Sequence, residues 1–209
     1  NHGGDQYYSI EYYDNQIDSE SDNEIFLLYY NGTYKDTVRL TNDALDDTRP
    51  DVVALNNGKA RVVWVKENGG EKSIFYATVD KDGIDGSVSS FGTFDGVDQT
   101  DPVLDKTVYD SEEIIHLAYI NGTDLMYDNT TATGSFNAEV VQGSLSLDNI
   151  SLDASGDYVM ISYSESGNVG YHASNDRGET FGDSDTSLVT EGTDEITDID
   201  CYITDFGAK

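Results

Sequence analysis

The chain has 209 residues with 41 acidic against 11 basic side chains, a formal net charge of −30. That sign and density exclude a nucleic-acid partner, which needs clustered Lys and Arg, and exclude adhesion to anionic membrane surfaces. With 37% apolar residues, 15 Tyr and 7 Phe the chain can fill a core, while Cys201 alone permits no internal disulfide and no apolar run is long enough for a spanning helix.

Twenty Gly, two Pro and no long stretch of helix formers at helical spacing predict an all-β chain. Asn1 to Gln6 read as a trimmed terminus, so the chain is expected to be a processed module whose targeting signal lies outside it. Strands are then predicted at Tyr8–Tyr13, Ile25–Tyr30 and Thr37–Thr41, with the acid-rich loop Asp14 to Glu24 between the first two.

From Arg49 onward one pattern repeats: a short apolar run led by Asp and Pro, a Gly or Asp turn, a stronger run, an aromatic pair and a fourth strand. Its first copy runs through Asp51–Leu55, the turn Asn56-Asn57-Gly58, Ala60–Val65, Ile74–Tyr76 and Gly86–Phe94. The second uses Asp101–Leu104, a turn near Tyr109-Asp110, Ile114–Ile120, Leu125–Tyr127 and Phe136–Val141. The third uses Asn149–Leu152, Ser155-Gly156-Asp157, Tyr158–Tyr163, Val169–Tyr171 and Thr186–Thr190. Pro50 and Pro102 are 52 residues apart and Pro102 and Ile150 are 48, a spacing that fits four-stranded blades. Glu195–Ile203 matches the first strand of such a unit and lacks the rest, which the three N-terminal strands supply. The expectation is a single β-propeller domain over 1–209, four-bladed, with blades 195–209 plus 1–45, 46–97, 98–144 and 145–194. One blade built from both termini would remove an exposed sheet edge.

The segment Ser174-Asn175-Asp176-Arg177-Gly178-Glu179-Thr180-Phe181 resembles the Asp box of sialidase-like propellers, and the runs around 46–77 are similar to repeats of secreted and surface-layer proteins that carry them. The resemblance implies a structural turn, formed by Ser174, Asp176, Gly178 and Phe181, between the third and fourth strands of a blade and remote from any catalysis. The turns at Asp80–Gly83 and Asn129–Phe136 are degenerate copies. A sialidase-like enzyme needs three arginines for the substrate carboxylate, and the four here, Arg39, Arg49, Arg61 and Arg177, are scattered along the chain. No catalytic residue is assigned: no Gly-x-Ser-x-Gly elbow is present, and His2, His116 and His172 have neither triad nor zinc-ligand spacing.

Calcium is the cofactor the acids allow. The candidate ligands are Asp80, Asp82 and Asp85 in one oxygen-rich turn, the five acids crowded into the Asp14 to Glu24 loop, and Asp51, Asp101, Asp148 and Glu195, which lead the four expected inner strands and would ring a channel mouth. Sequons at Asn31, Asn121 and Asn129 are glycosylation candidates, whereas Asn149 is expected inside. These features together point to a non-catalytic extracellular or cell-surface module, such as a part of a surface layer or appendage, with a protein or glycan partner. The alternative is a glycan-acting, sialidase-like glycosidase or a lectin-like propeller.

Overall fold

The computed structural model describes residues 7–14, 22–30, 33, 35–92, 94–190, 196 and 198–204, with the backbone alone for 7–14, 35, 187, 189 and 190. Among these residues there are four sheets and no helix, and hence no helix long and apolar enough to cross a membrane. The first sheet is β1 (Tyr7–Asp14), β2 (Asn23–Tyr30) and β3 (Lys35–Arg39). The second is β4 (Asp46–Ala54), β5 (Ala60–Asn68) and β6 (Glu71–Asp80), with the short strands β7 (Gly83–Ile84) and β8 (Ser89–Ser90) both on β6. The third is β9 (Gln99–Tyr109), β10 (Glu112–Asn121), β11 (Asp124–Thr131) and β12 (Glu139–Gln142). The fourth is β13 (Leu147–Ser155), β14 (Tyr158–Glu165), β15 (Asn168–Ser174) and β16 (Asp183–Thr190). In each sheet, strands that follow in sequence are neighbours, the pattern short turns impose, with the exception of β8, which pairs with β6 rather than β7. The chain forms two compact units, Asn1–Pro102 and Val103–Lys209.

The second strands of the repeat are buried on both faces: β5 is buried from Ala60 through Lys66, and β10 from Ile115 through Ile120. A strand covered on both sides needs no polar face, so its sequence is a continuous apolar run rather than an alternation. In the first unit Ile25 and Leu27 of β2 pack with Val62 and Trp64 of β5 and Ala77 and Val79 of β6. In the second, Ile120, Leu125 and Tyr127 pack with Val159, Ile161 and Tyr163.

Pro50 sits inside β4 at an irregularity, where the register against β5 shifts between Thr48 and Asp51. A proline offers no ladder N–H, and an extra residue in one strand accommodates it. The preceding Arg49 takes φ 50°, and Asp101, before Pro102, takes φ 53°. The two strained positions are joined by an Arg49–Asp101 ion pair.

Three segments differ from the sequence reading. The expected strand Gly86–Phe94 contains only the two-residue β8, and its surroundings are fastened by single bonds instead, Phe91 N–H to the Ile74 carbonyl at 3.1 Å and Phe94 N–H to Ser73 Oγ at 3.1 Å. Ser, Gly and Asp dominate there, and such side chains favour turns over a ladder. In the third sheet the outer strand starts at Glu139, and Phe136, expected within it, is buried ahead of it. Glu195–Ile203 carries no strand among its described residues, Ile196 and 198–203. That segment is tied to β13 by side chains: Asn149 Nδ2 donates to the Ile196 carbonyl at 3.0 Å, Cys201 N–H to Ser151 Oγ at 3.3 Å, and Ile203 N–H to Asp153. Side-chain oxygens thus take the amide protons that a ladder would use.

Candidate functional site

The turn after β15 is built around Ser174 and Asp176. Ser174 Oγ donates to Asp176 Oδ1 at 2.6 Å and accepts the Gly178 N–H at 2.8 Å. Asp176 in turn accepts the Thr180 N–H at 2.8 Å and the Thr180 hydroxyl at 2.6 Å. These bonds, Ser174's first, hold the Asp176 carboxyl down at about 2. Arg177 and Gly178 take φ 65° and 84°. At Gly178 a Cβ would lie 1.9 Å from the Tyr127 hydroxyl, so only glycine fits. Phe181 closes the turn with its ring edge-on to Tyr127, centroids 4.9 Å apart at 80°.

Beside this turn lies an open cavity of about 250 Å³, formed within the second unit by Tyr127 to Asn129 of β11, Glu139 to Val141 of β12 and Gly178 to Phe181. Tyr127 in its lining ends a buried neutral relay: Thr107 Oγ1 to His116 Nε2 at 3.0 Å, and His116 Nδ1 to the Tyr127 hydroxyl at 2.7 Å. Asn129 Nδ2 donates to the Arg177 carbonyl at 3.1 Å, fastening β11 to the turn. Burial pushes His116 down to about 4, so the imidazole is neutral, and pushes the Tyr127 phenol up. Asp128 is raised by burial, and it accepts the backbone N–H groups of Asn129, at 2.8 Å, and Asn137. With Asp128 so engaged, the exposed Glu139 and Glu179 are the carboxylates the cavity offers to solvent. The wall therefore pairs carboxylate acceptors with apolar surface from Phe181, Val140 and Val141. Polar acceptors at the edge of a ring or aliphatic face suit a ligand with hydroxyls on one side and C–H groups on the other.

The sequence singled out Phe181 and Gly178 but not Tyr127, Asp128, Glu139 or Val140. Tyr127 and Arg177 are 50 positions apart, and nothing in either local sequence marks their meeting.

The acids expected to bind calcium in the 80–85 turn and at the strand starts have other partners. Asp80 Oδ1 accepts the Asp82 N–H at 2.8 Å, Asp82 pairs with Lys81 at 2.5 Å, and Asp85 pairs with Lys59. Asp51 Oδ1 accepts the Val52 N–H at 2.8 Å, Asp101 pairs with Arg49, and Asp148 Oδ2 accepts the Ser166 N–H at 3.2 Å. Glu195 lies outside the described residues. Among the described residues no three His, Cys, Asp or Glu side chains converge on one point as direct metal ligands. Of the sequons, Asn31 lies outside the described residues, Asn121 ends β10, and the Asn129 amide is already spent on Arg177. Asn149 is half-buried on β13 and bonded to Ile196.

No protein-family model and no curated protein sequence matches the chain. Among solved structures, a GH43 β-1,3-galactosidase is similar to it with a TM-score of 0.50 at 17% identity, over 87% of this chain and 43% of that one. The chain thus spans less than half the length of that protein, and the likeness extends to the fold. Sheets of short antiparallel meanders together with this likeness make the chain a β-propeller-like all-β protein.

Proposed function

We propose that this chain is a non-catalytic extracellular or cell-surface propeller module that binds a neutral glycan in the cavity between β11, β12 and the Ser174–Phe181 turn. The observation that carries the reading is the cavity wall, where Glu139 and Glu179 face solvent beside Phe181 and Val140. Carboxylates accept sugar hydroxyls in pairs, and apolar rings cover the C–H face of a pyranose. The likeness to a galactosidase lends support of a coarser kind, since that protein of similar fold acts on a sugar. A net charge of −30 disfavours anionic sugars by long-range repulsion, which is why the ligand is assigned as neutral.

The ring itself belongs to the same proposal: four blades, the first completed by the C-terminal segment. It is supported by the number of strands, three in the β1–β3 sheet and four or five in the others. The Asp-box kinship of the Ser174–Phe181 turn is likewise proposed, on its sequence and bonding. A glycan array at physiological salt tests the binding assignment. Retention of neutral oligosaccharides without release of reducing sugar is the expected result. Release of reducing sugar would make the chain an enzyme, and an array blank for neutral glycans would remove the assignment.

A further inference from the structure

In the first unit, a second cavity of about 360 Å³ opens where the start of β2, the start of β4 and the β5–β6 turn meet, and Asp22, Asp46 and Glu67 line it. Among the described residues three carboxylates are buried: Asp22, Glu24 and Asp47. Two of them have cationic and neutral donors. Glu24 accepts from Arg39 and from the Thr41 hydroxyl, each at 2.5 Å, and Asp47 accepts from Trp64 Nε1 at 2.8 Å with Lys66 Nζ at 3.5 Å. Asp22 is the exception: it is 7% exposed, and neither carboxylate oxygen has a hydrogen-bond partner. Its neighbours add negative charge. Asp46 and Glu67 are directly opposed across the β4–β5 ladder, a placement that like charges disfavour. Asp46 is held in position by Asn23, whose N–H and Nδ2 donate to its Oδ1 at 2.9 and 3.1 Å.

A buried carboxylate with no donor is costly, and a bound cation offsets that cost. Among the described residues that line the cavity there is no lysine, arginine, sulfur or imidazole. We propose that it binds one hard divalent cation of the calcium type, with Asp22 as the direct ligand and Asp46 and Glu67 balancing its charge through bound water. The size of the space leaves room for an ion that keeps part of its hydration shell. The adjacent turn, Gly69 at φ 62° and Gly70 at φ 92°, bears no side chain that would fill it.

The test is calorimetric titration of the full chain with calcium chloride, joined to melting curves in chelator, in millimolar calcium and in sodium chloride of matched ionic strength. One saturating site and a higher melting temperature in calcium than in sodium are expected. Asp22→Asn should weaken calcium binding by more than about tenfold, and in chelator it should melt above the parent, because it removes an uncompensated buried charge. Asp82→Asn, in the exposed Lys81 turn, should bind calcium as the parent does. If Asp22→Asn does not fold, Glu67→Gln must show weakened binding in its place. Equal responses to calcium and sodium, or parental calcium affinity in the Asp22→Asn or substitute Glu67→Gln protein, would overturn the proposal. So would loss of binding in Asp82→Asn.

Discussion

The two units stabilise buried polar groups in opposite ways. The first buries charge: Glu24 against Arg39 and Thr41, and Asp47 against Lys66 and the Trp64 indole. The second buries a neutral chain running from Thr107 through His116 to Tyr127, with the Arg177 carbonyl at its end. Burial penalises a charged form in both, but the consequences have opposite sign. It drives Asp47 up to about 7 and His116 down to about 4. Asp47 thus favours the folded state below pH 3.8, its ordinary value, and this contribution is lost as pH rises through about 7. His116 contributes stability above its ordinary 6.5 that is lost as pH falls through about 4. A flat pH profile of the whole chain would therefore hide two opposed slopes.

The contrast is broken most severely at Gly178. Gly178→Ala forces a Cβ onto the Tyr127 hydroxyl at positive φ, and the expected cost is about 3 kcal/mol or more, read from denaturant unfolding. Gly182→Ala, with nothing within 4 Å of the added carbon, should be within about 0.5 kcal/mol of the parent. Equal effects of the two would mean that the turn does not press on the neutral relay.

Next comes Asp47. Asp47→Ala leaves the Trp64 N–H unpaired in the core and should cost about 2 kcal/mol. Asp47→Asn keeps an acceptor and sheds the charge, so it should melt above the parent at pH 8, with the advantage shrinking steadily as pH falls toward 4. An advantage that grows on acidification would reverse the assignment. His116→Phe should cost about 1 to 2 kcal/mol at pH 7, because it orphans the Thr107 hydroxyl and leaves the Tyr127 hydroxyl with the Arg177 carbonyl alone. In return, the fall in melting temperature between pH 6.5 and 4 should become shallower than in the parent. Smallest is Asp176→Asn: its carboxyl is held at about 2, so its contribution is present above 3.8 and is lost only as pH falls through about 2. Variant and parent should converge there.

The same contrast shows what the sequence carries. The strands β5, β10 and β14 were legible because burial on both faces leaves an apolar run, and the Ser174–Phe181 turn was legible because its bonds lie within eight residues. The outer part of the second sheet was not, since Gly86 to Phe94 has neither alternation nor an apolar run. Nor were the cavities. Asp22, Asp46 and Glu67 are brought together from three strand ends, and Tyr127 reaches Phe181 across two sheets. Acid clusters along the chain, such as Asp80 to Asp85, drew attention through spacing, yet Lys81 within the run pairs with Asp82, and Lys59, 26 positions from Asp85, pairs with it only once the chain is folded.

The most direct measurement of the proposed function is titration of the parent and of Glu139→Ala with a neutral oligosaccharide retained on the array. Glu139 is exposed at the start of β12, so its truncation should leave the melting temperature within about 2 °C of the parent. The account predicts saturable binding by the parent, a loss of more than about fivefold in affinity for Glu139→Ala, and no sugar release from either protein. Unchanged affinity in Glu139→Ala, or turnover of the oligosaccharide by the parent, would contradict it.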